Sequence, residues 1–561
     1  MRGQTRPRCI DGSTLDKLLA RRISAPLLTL AVAMLLASAG NVPFWSTLVR
    51  SVGGLRPANL PLLLGAFSII ALFFNACLTL ASFRFIAKPV LIVLVFCAAG
   101  ASYFIANYGV VIDKAMMQNV FETDTREACE LLSWHMAFSV GLLGLLPAWL
   151  IARADIGFPQ GLRGLLVRAG IAGGSLALAV LLLVLLFKSL APAVREHREL
   201  RFLLTPTNTI QALHGYLRSK WRTPLVVAPL GRDAMRGRAR AGNGRRTVTI
   251  LVVGETARAK NFSLNGYRRE TNPLLARQPG LINFSRVASC GTATAVSVPC
   301  VFSALGREHY SDTRAASQEG LLDVLAHAGF QVLWRDNNSG CKGVCDRVAF
   351  EDLSQPAPGD PLCEGGECHD ERLLAGLPEL IRNGTGDLVV VLHQKGSHGP
   401  AYARRYPSGF GRFGPVCTTN EFEQCSRASI EAAYDNTILY TDYFLSKTID
   451  LLRASAAMEG VDTAMLYFSD HGESLGENNM YLHGAPYMFA PSEQTHVPMM
   501  LWMSDGFSGR FGIDRTCLMA RRDQPVSHDN VFHSVLGMLD VNTAVLNPKL
   551  DLFRACTRTA S

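Results

Sequence analysis

The sequence predicts an N-terminal five-helix transmembrane domain followed by a C-terminal α/β/α sandwich. Three observations carry this prediction. Long apolar runs dominate residues 24–190 of a 561-residue chain. Beyond about Arg246 the composition becomes that of a soluble protein, with short apolar strands alternating with helical stretches. Ten of the fourteen cysteines fall in that second half, most of them closely spaced. The length exceeds one typical domain. We divide it into residues 1–190 in the membrane, 191–246 as a bridging linker, and 247–561 as an outer domain.

The N-terminal tail is basic (Arg2, Arg6, Arg8, Lys17, Arg21, Arg22), and Arg232–Arg246 is a second basic stretch in a chain of net charge +9. Clusters that flank membrane helices favour anionic headgroups, so membrane lipids are the expected partners and nucleic acid is not. The apolar run Pro26–Ala39 ends in Ala37-Ser38-Ala39, a pattern that also resembles a cleaved signal peptide. Further apolar segments make a first span the better reading. The candidates are Ile23–Phe44, Leu60–Ser82, Pro89–Tyr108, Leu131–Ala152 and Leu165–Leu190, each near the roughly 20 residues needed to cross hydrocarbon. Basic residues gather in the tail, the Arg84–Lys88 loop and the Arg153–Arg168 loop. By the positive-inside rule the N-terminus is cytoplasmic, and everything after the fifth span lies outside. In the outward loop 109–130, Asn119, Thr123 and Glu127 recur every four residues and would share one helix face. That face is either plain loop polarity or a surface that meets a lipid headgroup.

Residues His197–Trp221 have mixed amphipathic character suited to the membrane interface. Gly231–Arg246, rich in glycine and arginine, reads as a mobile linker. From Thr247 onward, strands are expected at Thr247–Val253, Leu281–Val287, Gln331–Arg335, Asp387–His393, Ala464–Ser469 and Val497–Met503. Helices are expected at Leu321–Ala328, Glu371–Ile381 and Ser429–Ala454. The alternation argues a largely parallel sheet covered on both faces. Ligands of such sheets gather at the carboxyl ends of the strands.

The cysteines pair by proximity as Cys290/Cys300, Cys341/Cys345, Cys363/Cys368 and Cys417/Cys425. Zinc knuckles remain an alternative, but a zinc ribbon needs two such pairs converging on one metal. Local disulfides behind a membrane anchor fit better and imply an oxidising compartment. Cys517 with Cys556 is the weakest pairing.

The loop Ser289–Cys300 is built of small residues and runs into an apolar helix pattern. Thr292 and Thr294 stand where that helix begins. A helix N-terminus suits a phosphate, and a threonine there is either a nucleophile beside a metal or an N-cap. Polar residues follow several strands: Glu255 after Thr247–Val253, Gln394–His398 after Asp387–His393, and Asp470-His471 after Ala464–Ser469, with His483 a little beyond. Carboxylates and imidazoles collected at one sheet edge suit zinc or manganese.

Glu255, the Cys290–Cys300 loop, Asp470-His471-Gly472-Glu473-Ser474-Leu475-Gly476-Glu477 and His483-Gly484 together resemble the lipid A phosphoethanolamine transferases. That family includes the mobile colistin-resistance enzymes and belongs to the alkaline-phosphatase-like superfamily. The likeness implies a sandwich of the alkaline phosphatase/sulfatase type. It implies Thr294 as nucleophile and Glu255, Thr294, Asp470 and His471 as ligands of a catalytic zinc. His398 and His483 would bind a second zinc or the phosphoryl group. Asn338, Lys342 and His393 would contact substrate, and Asn119, Thr123 and Glu127 would handle the lipid donor. The donor would be phosphatidylethanolamine and the acceptor a phosphate of lipid A in lipopolysaccharide. The enzyme would be a monomer in the bacterial inner membrane with its catalytic domain in the periplasm.

Rival readings are weaker on the residues. A sulfatase needs Cys or Ser followed by x-Pro-x-Arg, which the loop after Cys290 lacks. A phosphoglycerol transferase of the lipoteichoic-acid or periplasmic-glucan type would use the same threonine, often with manganese. A zinc-binding membrane sensor would keep the ligands without needing a nucleophile. A transporter would be expected to carry more mid-span charge.

Overall fold

Strands buried along their whole length can exist only in a sheet covered on both faces. Thr247–Gly254, Leu388–His393 and Asp462–Ser469 are buried at every residue. In the computed structural model, residues 22–123, 125–197, 200–221, 226–237, 245–356, 359–364 and 367–557 are described, except for the side chains of 126–127, 188, 191–196 and 219–221. Cys9, the basic tail through Arg21 and part of the Arg232–Arg246 stretch lie outside the described residues. The chain divides into two compact units, Met1–Lys114 with Leu132–His214, and Ala115–Leu131 with Gly215–Ser561.

The first unit contains five helices long and apolar enough to cross a membrane: Ala25–Ser51, Pro57–Leu80, Ala87–Tyr108, Trp134–Arg153 and Gly161–Phe187. The first is interrupted around Ser38–Asn41. There the Asn41 amide donates to the carbonyls of Leu36 (2.7 Å) and Thr205 (2.6 Å). Apolar side chains such as Leu185 (69 % exposed) and Phe187 (61 %) face outward, as lipid-facing groups do. Inside, Thr29 bonds Asn75 (3.3 Å) and Thr79 (3.1 Å), and Asn75 bonds Ser175 (3.0 Å). Such small polar contacts join helices that share no hydrophobic driving force in lipid. The amphipathic stretch forms Leu200–Leu203 and Thr207–Trp221, divided at Pro206.

The second unit is built on an eight-stranded sheet. Its strands are β1 (Thr247–Gly254), β2 (Ile282–Ala288), β3 (Gln331–Asp336), β4 (Ala349–Asp352), β5 (Leu388–His393), β6 (Asp462–Ser469), β7 (His496–Met503) and β8 (Val526–Ser527). Their order is β8-β2-β7-β6-β1-β5-β3-β4. Only β7 runs against the rest. The edge strands β4 and β8 are too short for the hydrophobic pattern to have marked them. One face packs Leu251, Val253, Val389, Val391, Leu466 and Phe468 on a core that includes Leu321, Leu325, Phe532 and Leu536. Toward the other face, Thr463 Oγ1 bonds the Leu452 carbonyl (3.2 Å) of the long helix Arg427–Met458. The expected helix Glu371–Ile381 is instead a 3-10 turn, Asp370–Leu374, and a helix, Leu377–Asn383. Gly376 at φ 69° separates them, and Pro378 opens the second.

Register fixes the functional edge. Ser469 pairs with Gly254, and His393 pairs with both Val253 and Asp336. The residues that follow β6, β1, β5 and β3 therefore leave four adjacent strands at one carboxyl edge. Five disulfides form in this unit: Cys290–Cys300, Cys341–Cys345, Cys363–Cys368, Cys417–Cys425 and Cys517–Cys556. The Cys341–Cys345 spacing thus closes a turn rather than a zinc knuckle. Cys77, Cys97 and Cys129 are free thiols.

Candidate active site

Gly254 ends β1, and Glu255 follows it, fully buried. The loop after β5 folds back against Glu255: Ser397 N donates to the Glu255 carbonyl at 3.0 Å. Gly396 makes that approach possible. It sits at φ 55°, and a Cβ built on it would stand 2.6 Å from the Glu255 carbonyl oxygen. Asp370 holds the same loop by accepting from Lys395 N (2.7 Å) and Gly396 N (3.0 Å).

Thr294 is the first residue of the helix Thr294–Val301, and Ala293 is its N-cap. Neither threonine caps this helix. Thr292 donates to the Ala485 carbonyl at 2.6 Å. The Thr294 hydroxyl instead lies 3.1 and 3.0 Å from the two Glu255 oxygens and 3.2 Å from His471 Nε2. His471 Nδ1 donates to the Gly472 carbonyl (2.9 Å), which turns Nε2 toward the carboxylates. Nε2 is 3.4 Å from Glu255 and 3.4 Å from Asp470.

This arrangement fits a metal ion. Donor atoms of Glu255, Asp470 and His471 lie within 4.8 Å of one another, all buried. Asp470 Oδ1 accepts from Thr256 N (3.2 Å) and His471 N (2.7 Å), whereas Oδ2 is buried without a hydrogen bond among the described residues. A buried carboxylate oxygen without a donor is costly unless a cation meets it. The protons report the same crowding. Burial and the Glu255 charge push Asp470 up to about 6. Burial works against a charged His471, yet Asp470 and Glu255 outweigh it and push the imidazole up to about 10.

A second group supports the first. Asn338 Nδ2 donates to Glu255 (2.7 Å) and the Gln394 carbonyl (3.0 Å), with His393 Nε2 at 3.3 Å. His393 is fully buried, and its Nδ1 meets Asp336 at 2.8 Å. His483 Nδ1 donates to Glu473 (2.8 Å), which also accepts from the Tyr402 hydroxyl (2.6 Å). The His483 ring lies 4.5 Å from that of His471 and 5.4 Å from that of His398. His483 is presented by a hairpin, Ser474–Glu477 with Met480–Leu482.

Lys342 Nζ bonds Ser339 (2.9 and 3.0 Å) and lines a cavity of about 700 Å³ with Ala295, Gln118, Glu122 and Tyr310. Asn119 lies beside the His483-Gly484 turn: a Cβ built on Gly484 would be 3.7 Å from its Nδ2. Asn119, Thr123 and Glu127 do not share one helix face. The helix Lys114–Glu122 ends there, Thr123 Oγ1 donates to the Asn119 carbonyl (2.5 Å), and a new helix runs Thr125–Glu130. Such a side-chain bond favours a helix terminus over continuation. The Glu127 side chain lies outside the described residues.

Sequence reasoning missed several supports. His528 is buried behind the Cys290–Cys300 loop; it accepts from Cys290 N (3.0 Å) and donates to the Ser469 carbonyl (3.0 Å). Asp336, Asp370 and Glu473 orient the histidine-bearing loops. Of these, only Glu473 carried a sequence signal, as part of the Asp470–Glu477 motif.

The chain matches the sulfatase family model over residues 247–541 and the model described as phosphoethanolamine transferase EptA/EptB over residues 70–221. It is 40% identical over 554 residues to the phosphoethanolamine transferase EptA of Escherichia coli (strain K12), spanning 97% of this chain and 100% of that protein. It is 38% identical over 536 residues to the phosphatidylethanolamine transferase Mcr-1 of Escherichia coli, spanning 93% of this chain and 96% of that one. The solved integral membrane protein lipooligosaccharide phosphoethanolamine transferase A (EptA) from Neisseria meningitidis superposes with a TM-score of 0.92 at 34% identity, covering 96% of this chain and 100% of that chain.

Proposed function

The chain belongs to the phosphoethanolamine transferase family, and on that premise we propose that it moves phosphoethanolamine from phosphatidylethanolamine to a lipid A phosphate through a covalent adduct on Thr294. One observation carries the reading: the Thr294 hydroxyl is turned away from helix capping and held 3.0 Å from Glu255 and 3.2 Å from His471. Zinc held by Glu255, Thr294, Asp470 and His471 would lower the pKa of that hydroxyl and offset charge on the phosphate oxygens.

The residues of the chain do the rest. Glu255 accepts the Thr294 hydrogen bond, and Asn338 pins Glu255 by a 2.7 Å bond. Thr294 Oγ forms a bond to the donor phosphorus, and the bond from phosphorus to the glycerol oxygen breaks. Diacylglycerol leaves with a proton. An oxygen of the acceptor phosphate then attacks the same phosphorus, and Thr294 Oγ leaves and takes up the proton that the acceptor phosphate gives up. His483 donates a hydrogen bond from Nδ1–H to Glu473, which turns its Nε2 edge toward the transferring group, and His398 stands beside it. Lys342 offers a cation at the cavity wall for an anionic phosphate. Asn119, beside Gly484, adds an amide for the donor headgroup, in a segment that also carries Thr123 and Glu127. The site draws all these groups from one chain, in keeping with a monomer. The five spans and five disulfides support an inner-membrane protein with this unit in the periplasm. Capping a phosphate with an amine lowers the negative charge that cationic peptides such as polymyxins seek.

Diacylglycerol release from nanodiscs tests the reading. Release from phosphatidylethanolamine but not phosphatidylglycerol, abolished in Thr294→Ala, is expected. Release from phosphatidylglycerol alone would assign the chain to phosphoglycerol transfer. Full turnover by Thr294→Ala would refute the nucleophile.

A further inference from the structure

Arg405 is a guanidinium with a fully buried side chain, seven residues after His398. A buried cation is retained only where partners satisfy it, and here three do. Its Nε donates to the His398 carbonyl at 2.7 Å. One terminal nitrogen pairs with Glu130 and the other with Glu367. Each partner belongs to a different element. Glu130 ends the helix Thr125–Glu130, in the segment 115–131 that also carries Asn119 and Thr123 and belongs to the same compact unit as the sheet. Glu367 lies in the small hairpin closed by Cys363–Cys368. His398 stands in the row of imidazoles that leads through His483 to His471. The chain between His398 and Arg405 also holds Tyr402, whose hydroxyl bonds the Glu473 that orients His483.

We propose that Arg405 is a positioning residue for phosphoryl transfer, fixing His398 at the reaction centre and tying it through Glu130 to the segment that carries Asn119. The inference rests on the function proposed above, in which His398 faces the transferring group. The planar fork of arginine is needed because three acceptors lie in three directions. A lysine has the charge but not the geometry, and it cannot serve all three at once. The arrangement explains why an arginine is buried here at all: it makes the placement of one histidine depend on the docking of segment 115–131. A misplaced catalytic group costs rate even where the fold survives, about a hundredfold for a displacement near 1 Å.

The test uses the full-length protein in phosphatidylethanolamine nanodiscs and follows the phosphoethanolamine adduct on Thr294 by rapid quench and mass spectrometry. The endpoint amplitude counts competent sites, and the rate constant reports positioning within them. In Arg405→Lys we expect the wild-type amplitude with a rate constant lower by tenfold or more. In Glu130→Gln, which keeps the bonds to His398 and Glu367, we expect a smaller, several-fold loss, again in rate and not in amplitude. Should Arg405→Lys fail to fold, Glu130→Gln carries the test alone. Rate constants within twofold of wild type would overturn the proposal, as would losses confined to amplitude, which mark a purely structural ion cluster. If the wild type itself forms no adduct, the functional reading fails first and this inference falls with it.

Discussion

Gly396→Ala isolates the geometric demand of the site without touching any polar group. The residue sits at φ 55°, where an L side chain costs about 1–2 kcal/mol. The new Cβ would lie 2.6 Å from the Glu255 carbonyl oxygen and 2.9 Å from its nitrogen. Ordinary contact begins near 3.4 Å, so the backbone of Glu255 or of the loop must move by 3.4 − 2.6 = 0.8 Å. Glu255 is the carboxylate on which the Thr294 hydroxyl, Asn338 and His471 all converge. A shift of that size lowers turnover by about a hundredfold. It also lowers the unfolding midpoint of the unit by about 1–3 °C, because the unfolding entropy of a unit this large makes 1 kcal/mol worth little more than about 1 °C. The assay pairs the initial rate of diacylglycerol release with a thermal melt. Gly409→Ala is the control, because its Cβ meets nothing within 4 Å and its φ is not positive. If Gly396→Ala turns over within twofold of wild type, the close approach does not set the position of Glu255, and the reasoning is wrong.

Two further predictions follow from burial and covalent closure. Burial pushes His528 down to about 3, so between pH 6.5 and that value the unfolded chain binds a proton that the folded one refuses. Stability is therefore lost as pH falls below about 6.5, by about 2 kcal/mol at pH 5 from this residue alone. His528→Gln is expected to be less stable at pH 7 but to lose about that much less between pH 7 and pH 5, and equal slopes in urea unfolding would contradict the assignment. Ten of the fourteen cysteines form five disulfides, three are free thiols and Cys9 lies outside the described residues, so the denatured, unreduced protein is expected to titrate no more than four thiols. Opening Cys517–Cys556, which closes 39 residues, is expected to cost about 4 kcal/mol, against about 2 for the Cys341–Cys345 turn of four. A count of six or more thiols would remove that ranking.

Much of this site was legible because its chemistry sits directly after strands. Glu255 and Asp470-His471 follow β1 and β6, and His393 ends β5; the short continuous apolar runs of these fully buried strands marked them in the sequence. The pairing of Cys290 with Cys300 and the helix after Thr294 were also local signals. What escaped was either too short or too distant. β4 and β8 hold four and two residues, below any usable hydrophobic period. The hairpin before His483 turns through Asn478 and Asn479 at positive φ and was visible only as a string of polar residues. His528 and Arg405 look like ordinary residues of a loop and a helix edge. Their roles come from partners 238 and 275 positions away, Cys290 and Glu130. The one-face reading of Asn119, Thr123 and Glu127 failed because spacing assumes a continuous helix, and Thr123 uses its hydroxyl to end one.

The central claim is the covalent step on Thr294, and the most direct measurement is a mass spectrum of the Val287–Arg307 peptide. The detergent-solubilised protein would first be incubated with phosphatidylethanolamine or, separately, with phosphatidylglycerol. The account predicts a phosphoethanolamine adduct on Thr294 from the first lipid and none from the second. A phosphoglycerol adduct from the second lipid, or a phosphoethanolamine adduct on any residue other than Thr294, would contradict it.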